Sequence, residues 1–174
     1  MQHAQAVQLL QAAPLSPLPG QTWADLGCGT GTFTLALAEI LAQPGLILAL
    51  DQDAAALRQV PTQHGQITIE TRTTDFINDD LNLPYLDGIL MANALHYVRN
   101  QADFIQKLND YVKTDGSFII VEYETEHANR WVPYPIRFLA LQKLFMQHGF
   151  TSVQKIGEMA SRYQGKMYAA FIQR

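Results

Sequence analysis

Residues 22–38 read TWADLGCGTGTFTLALA, and the order of parts within them decides the fold. An apolar lead-in ends at Asp25. Leu26, Gly27, Cys28, Gly29, Thr30 and Gly31 follow, and helix-forming composition resumes at Phe33. Strand, glycine turn and helix, in that order, make a ligand-binding unit. Glycine has no Cβ, so the backbone turns sharply there and lets a ligand come close. The helix that follows presents unpaired N–H groups and the positive end of its dipole.

Spacing and an acid set this loop apart from a dinucleotide loop. A G-x-G-x-x-G pattern counted from Gly27 needs a glycine at 32, and counted from Gly29 it needs one at 34. Both positions hold threonine, Thr32 and Thr34. The pattern present is D-x-G-x-G-x-G, with Asp25 at the strand end. A carboxylate there repels a pyrophosphate and holds a cationic or amine-bearing ligand. This disfavours an NAD-binding oxidoreductase. S-adenosylmethionine has an amine, a sulfonium and an adenosine, and no phosphate.

Asp25 to Gly31 resembles the first motif of class I S-adenosylmethionine-dependent methyltransferases, and the resemblance extends from about Gln21 to the C-terminus. It implies a Rossmann-like, doubly wound α/β fold: a seven-stranded, mostly parallel sheet with an antiparallel last strand and helices on both faces. It also implies roles. Asp25 anchors the methionine amine, directly or through water. Gly27, Gly29 and Gly31, with Cys28 between them, let the backbone approach. Asp51, beside Gln52, holds the ribose. Asp75 accepts from the adenine amino group, and Phe76 meets the ring edge.

Composition narrows the rest. The chain has 174 residues, enough for one domain: an N-terminal helix and proline-rich link over 1–20, and a core over 21–174. It is 48% apolar and 16% charged, with a net charge of −4 and no Lys/Arg cluster. That gives no electrostatic footprint for nucleic acid and favours a small acceptor. No apolar run reaches the ~18 residues of a membrane span, and no signal peptide opens the chain. The only cysteine, Cys28, excludes an intrachain disulfide and fits a cytoplasmic protein. Within the loop it reads as a small packing residue rather than a nucleophile. Monomer and homodimer both remain open.

Taken in order, residues 2–13 form a helix ended by Pro14, Pro17 and Pro19. It either closes the cofactor mouth or merely covers the sheet. Gln21–Leu26 is the first strand, and Thr30 or Thr32 caps the helix after it. Leu46–Leu50 is an apolar run of strand length, as in a strand buried on both faces, and it ends in Asp51. An acid about 20 residues beyond a glycine loop is placed for ribose hydroxyls. Asp53 is its rival there, or else caps the helix starting at Ala54. Gln66–Thr71 is the third strand and Tyr85–Ala92 the fourth. A helix over Ala102–Val112, a turn at Thr114–Gly116 and a strand over Ser117–Tyr123 follow. The last helix spans Phe138–His148, and strands at Phe150–Gly157 and Met167–Ile172 close the sheet as an antiparallel pair.

Asn93 to Tyr97 lie beyond the fourth strand's carboxyl end, where open α/β sheets bind ligands. Asn93-Ala94-Leu95-His96 departs from the Asn-Pro-Pro-aromatic tetrapeptide of amide- and base-nitrogen methyltransferases. It looks more like the small-molecule enzymes. His96 is either a general base or a packing residue. Tyr123 is the second candidate catalytic group. The segment 124–135, ETEHANRWVPYP, is either the substrate wall or a stiff connection anchored by its Trp. As a wall, Trp131 and Tyr134 stack on the acceptor while His96, Tyr97, Tyr123, His127 and Asn129 orient it. No metal-ligand cluster such as H-E-x-x-H is present, so none is expected. The resulting expectation is direct methyl displacement releasing S-adenosylhomocysteine. A protein that binds the cofactor without catalysis is the alternative.

Overall fold

The computed structural model describes residues 1–161 and 165–174. Its elements are α1 (His3–Leu10), β1 (Gln21–Leu26), α2 (Thr32–Leu41), β2 (Gly45–Asp51), α3 (Ala54–Leu57), β3 (Gln63–His64), β4 (Ile67–Thr73) and β5 (Leu86–Ala92). A 3-10 turn (Leu95–Tyr97), α4 (Gln101–Asn109), β6 (Val112–Tyr123), α5 (Phe138–Gln147), β7 (Ser152–Ala160) and β8 (Lys166–Gln173) complete them. The strands form one sheet in the order β3-β4-β2-β1-β5-β6-β8-β7. β4, β2, β1, β5 and β6 pair in parallel, and β8 runs antiparallel between β6 and β7. The seven main strands are those expected. The eighth, β3, is two residues paired antiparallel to the edge of β4, too short to leave a period in the sequence.

Period explains the layers. In β1 and β2, alternate side chains enter opposite cores. Ala24, Leu26, Leu48 and Leu50 meet α4 and α5 through Phe104, Leu108, Leu141 and Phe145. Trp23, Ile47 and Ala49 meet α1 and α2 through Leu9, Leu10, Phe33 and Leu37. Each large apolar side chain so buried contributes about 1.5–3 kcal/mol. Helices therefore lie on both faces. α1 covers the sheet: Ala6, Leu9 and Leu10 are buried against α2, and the Leu9 carbonyl presses on Gly157 of β7.

Two local expectations differ. Neither Thr30 nor Thr32 caps α2; Gly31 does so with its backbone, at φ +85°. The helix expected to reach Val112 stops at Asn109, because Val112 pairs with Leu86 and starts β6. The turn at Thr114–Gly116 is absorbed into β6 as a bulge: pairing jumps from Leu86↔Val112 to Gly88↔Ser117.

Gly88 lies in register with Trp23, which is 1% exposed. A Cβ at 88 would fall 2.4 Å from the indole ring. Gly88→Ala is expected to lower the unfolding free energy by about 1–3 kcal/mol through overpacking. Urea titration followed by tryptophan fluorescence measures it, and an unchanged midpoint would contradict the packing described.

Candidate functional site

Strand order reverses between β1 and β5, the position where open α/β sheets bind ligands beyond their carboxyl ends. The glycine loop leaves β1 there, and Asn93 leaves β5. Gly27, Gly29 and Gly31 all have left-handed φ, +79°, +54° and +85°, which side chains with a Cβ rarely adopt. The Gly27 and Cys28 amides donate to the Leu50 carbonyl at 2.8 and 3.0 Å. Cys28 is buried, and burial with Asp25 and Asp51 nearby pushes its thiol far above the usual range. It packs, as expected of a thiol kept from its nucleophilic form.

Asp25 is fully buried at the end of β1. Thr34 Oγ1 donates to its Oδ2 at 2.6 Å, while its Oδ1 has no partner. Burial, aided by the charge of Asp51, raises its carboxyl to about 7 despite the Thr34 bond. Asp51 reaches back to the loop: Oδ2 accepts from the Gly29 amide and Oδ1 from the Asp53 amide, both at 2.8 Å. Asp53 caps α3, accepting from the Ala55 and Ala56 amides. The rivalry between the two acids thus resolves into a loop-facing Asp51 and a helix-capping Asp53. Gln52, between them, is exposed. No lysine or arginine occurs in residues 1–57, so the glycine loop and the ends of β1 and β2 carry no countercharge of their own for a phosphate.

Asp75 follows the carboxyl end of β4, and its carboxylate closes its own turn. It accepts from the Ile77 amide at 3.0 Å and from Asn78 Nδ2 at 2.8 Å, which holds its carboxyl below the usual range. Phe76 closes the floor beside Gly27: a Cβ on Gly27 would fall 3.2 Å from its ring and 2.8 Å from Ala94. Asn93 has φ +56°, and its Oδ1 is buried without a partner. The donor set therefore fits an amine-bearing, phosphate-free cofactor. It offers two acids at the strand ends, an orphaned carboxylate oxygen, an orphaned amide oxygen, and a loop with open space beyond Gly29.

Asn93 also borders a cleft of about 540 Å³. His96, Tyr97, Tyr123, His127, Asn129 and Trp131 line it together with Thr125 and Val132. His96 is 2% exposed, and its Nδ1 lies 2.7 Å from Glu122 Oε2. Glu122 is fully buried on β6 and also accepts from the His96 amide at 3.0 Å. Sequence reasoning missed Glu122; the available signal was a lone acid at the end of the apolar run SFIIV. Tyr97 packs on the imidazole with ring centroids 4.4 Å apart, and Tyr123 at 5.9 Å.

The segment 124–137 beside the cleft is shaped by turns and ion pairs. Asn129 Oδ1 accepts from the Trp131 and Val132 amides at 2.8 and 3.0 Å, so it shapes the loop. Trp131 is 64% exposed beneath the Arg130 guanidinium, 4.5 Å from its ring centroid. Arg137 ties Glu124 and Glu126 to the start of α5. Tyr134 is the exception: it does not line the cleft. Its amide donates to the His96 carbonyl at 3.0 Å and its carbonyl accepts from Gln101. Pro133 and Pro135 fix that backbone path, so Tyr134 braces His96 through its main chain.

The pattern that defines a family of methyltransferase domains matches residues 24–118, more than half of the chain. No curated protein matches it in sequence. Among solved structures, a SAM-dependent methyltransferase from Aquifex aeolicus is similar at 16% identity and a TM-score of 0.67, over 99% of this chain and 98% of that one. Magnesium protoporphyrin IX methyltransferase from Synechocystis PCC 6803, solved with bound SAM, is 17% identical, with a TM-score of 0.66 over 90% of this chain and 71% of that one. The plantazolicin methyltransferase BpumL, solved with SAH, is 12% identical, with a TM-score of 0.64 over 99% and 82%. At these identities the likeness is one of fold.

Asp25 titrates at about 7 in the folded protein against 3.8 for the ordinary group. Between those values the folded state holds a proton that the unfolded state has lost. The resulting stabilisation is complete below pH ~4 and disappears as pH rises through 7, a span of roughly 4 kcal/mol. The ligand-free protein is expected to lose stability over that range, and Asp25→Asn is expected to flatten the profile. Denaturant melts at pH 4.5 and 7.5 measure this, and parallel slopes in the two proteins would contradict it.

Proposed function

The chain belongs to the methyltransferase domain family, and on that premise we propose that it methylates a small-molecule acceptor with S-adenosylmethionine, releasing S-adenosylhomocysteine. The observation that carries the acceptor side is the buried His96–Glu122 pair beneath an aromatic cleft. When bound, S-adenosylmethionine supplies a methyl group already activated on a sulfonium. The chain's own residues then position, desolvate and move one proton.

Asp25 and Asp51 hold cationic and hydroxyl groups at the strand ends, and a glycine loop without Lys or Arg disfavours phosphates. Asp75 and Phe76 would hold the adenine, the Asp75 carboxylate accepting from its amino group and the Phe76 ring meeting its edge. Asn93 joins the cradle to the cleft, its free amide oxygen available to a group bound in either.

In the cleft, an ionised Glu122 is an acceptor only, so His96 Nδ1 carries the proton and Nε2 keeps a lone pair. Nε2 takes the proton from a hydroxyl, thiol or amine as that atom attacks, and Glu122 stabilises the imidazolium. Tyr97 and Trp131 offer flat apolar faces to the acceptor's body, while Tyr123 and His127 add polar contacts. The cleft volume and these rings favour a compact, partly aromatic acceptor. The similar structures are named for acceptors as unlike as plantazolicin and magnesium protoporphyrin IX, so the acceptor is read from the cleft and not from them.

Calorimetry with S-adenosylmethionine is expected to give micromolar affinity, weakened at least about tenfold by Asp51→Ala, which loses a charge-assisted contact. No binding to the unaltered protein would overturn the cofactor reading. In turnover of a phenolic, thiol or amine acceptor found by screening, His96→Ala is expected to lower kcat by about 10²–10⁴, and Glu122→Gln to lower it in the same direction. Cofactor affinity should be unchanged in both. Trp131→Ala should raise KM. Equal kcat in all three variants would remove the base and leave the cleft as packing.

A further inference from the structure

At the opposite rim of the sheet the fold gathers three groups that the sequence keeps far apart. His3 opens α1, Glu39 lies in the last turn of α2, and His64 ends β3. His64 pairs with Ile67, which pairs with Gly45 at the start of β2, so this is the amino-terminal rim, away from the cleft. His3 Nε2 and Glu39 Oε2 are 2.8 Å apart. The His3 and His64 rings are tilted at 57° to each other with centroids 6.0 Å apart. One nitrogen or oxygen from each of the three lies within 4.8 Å of the other two.

The hydrogen bonds within the group leave it incomplete. His3 Nδ1 is buried without a partner. The His64 ring makes no hydrogen bond among the described residues. Glu39 is met there only by an imidazole, and no lysine or arginine occurs in residues 1–57. Two neutral imidazoles and one carboxylate are a donor set for a borderline divalent cation. Zinc binds such nitrogens at about 2.0–2.1 Å and carboxylate oxygens at about 2.0–2.2 Å. Tetrahedral ligand atoms then lie about 3.3 Å apart, so closure needs the groups to draw in by no more than a side-chain adjustment.

We propose that His3, Glu39 and His64 bind a divalent transition-metal ion of the zinc type, with water in the remaining position. The ion clamps α1 and β3 to α2. Both clamped elements are short: α1 has eight residues and β3 two, lengths that do not hold themselves. The site is structural and lies at the far end of the sheet from the methyl-transfer cleft.

Chelator-treated protein titrated with Co²⁺ tests this, followed by Zn²⁺ competition and thermal melts. The expected result is one Co²⁺ per chain with visible d–d absorption, displaced by Zn²⁺, and a Tm raised by Zn²⁺. His64→Ala and Glu39→Gln, both changes at the protein surface, should each weaken binding at least about tenfold and remove the Tm rise. The metal-free Tm should stay within a few degrees. Failure to bind would overturn the site. Undiminished binding in both variants would assign the ion to other histidines. Binding without a Tm rise would overturn the clamp.

Discussion

Asp25 is a fully buried carboxyl group held by one hydroxyl donor, Thr34. That single bond fastens the first turn of α2 to the end of β1 across the glycine loop. It fixes where the loop's amides point and how far Asp51 must reach to meet Gly29. Leaving a buried oxygen unpartnered costs about 1–3 kcal/mol, and Asp25 Oδ1 is such an atom. A fold retains that penalty where a ligand removes it, and here the penalty sits at the reversal of strand order. The cradle is therefore least comfortable when empty.

Most of the architecture was legible in the sequence because its signals are local. Asp25 and the glycines fall within a span of seven residues, LILAL announces a strand buried on both faces, and helix-forming composition resumes at Phe33. What could not be read depends on distant meetings. Glu122 declares itself only once His96 is found against it, 26 positions away in the chain. Tyr134 looked like an aromatic wall because its ring is visible in the sequence, whereas its main-chain bond to His96 is not. The threonines beside the loop were chosen as caps by residue type, but left-handed Gly31 turns the chain before a side chain can serve. His3, Glu39 and His64 belong to three elements and leave no spacing to detect.

Two chemistries meet at Asn93. On the β1 and β2 side lie acids, glycines and main-chain amides. On the β5 and β6 side lie an imidazole, a buried acid and aromatic rings. The division follows from strand order: β2 and β5 flank β1 on opposite sides, so their ends supply different walls to one opening. The cleft is further shaped by residues 124–137, held through Asn129's turn and the pairing of Arg137 with Glu124 and Glu126. Exposed ion pairs of this kind are screened by water and weakened further by salt. This side of the cleft is thus held by weaker forces than the buried end of β1.

Charge is shared unevenly along the chain. Residues 1–57 contain four acids, Asp25, Glu39, Asp51 and Asp53, and no Lys or Arg. The remainder carries all twelve basic residues and twelve acids, sixteen less those four, so the whole net charge of −4 resides in the first third. A field of one sign around a cleft draws in opposite charge and is weakened by salt. A donor that arrives as a cation and departs neutral, once its methyl has gone, meets that field on entry and not on exit. Of these acids, Asp51 and Asp53 stand beside the glycine loop while Glu39 lies at the opposite rim, so the field at the loop favours a cationic donor over the neutral product it leaves.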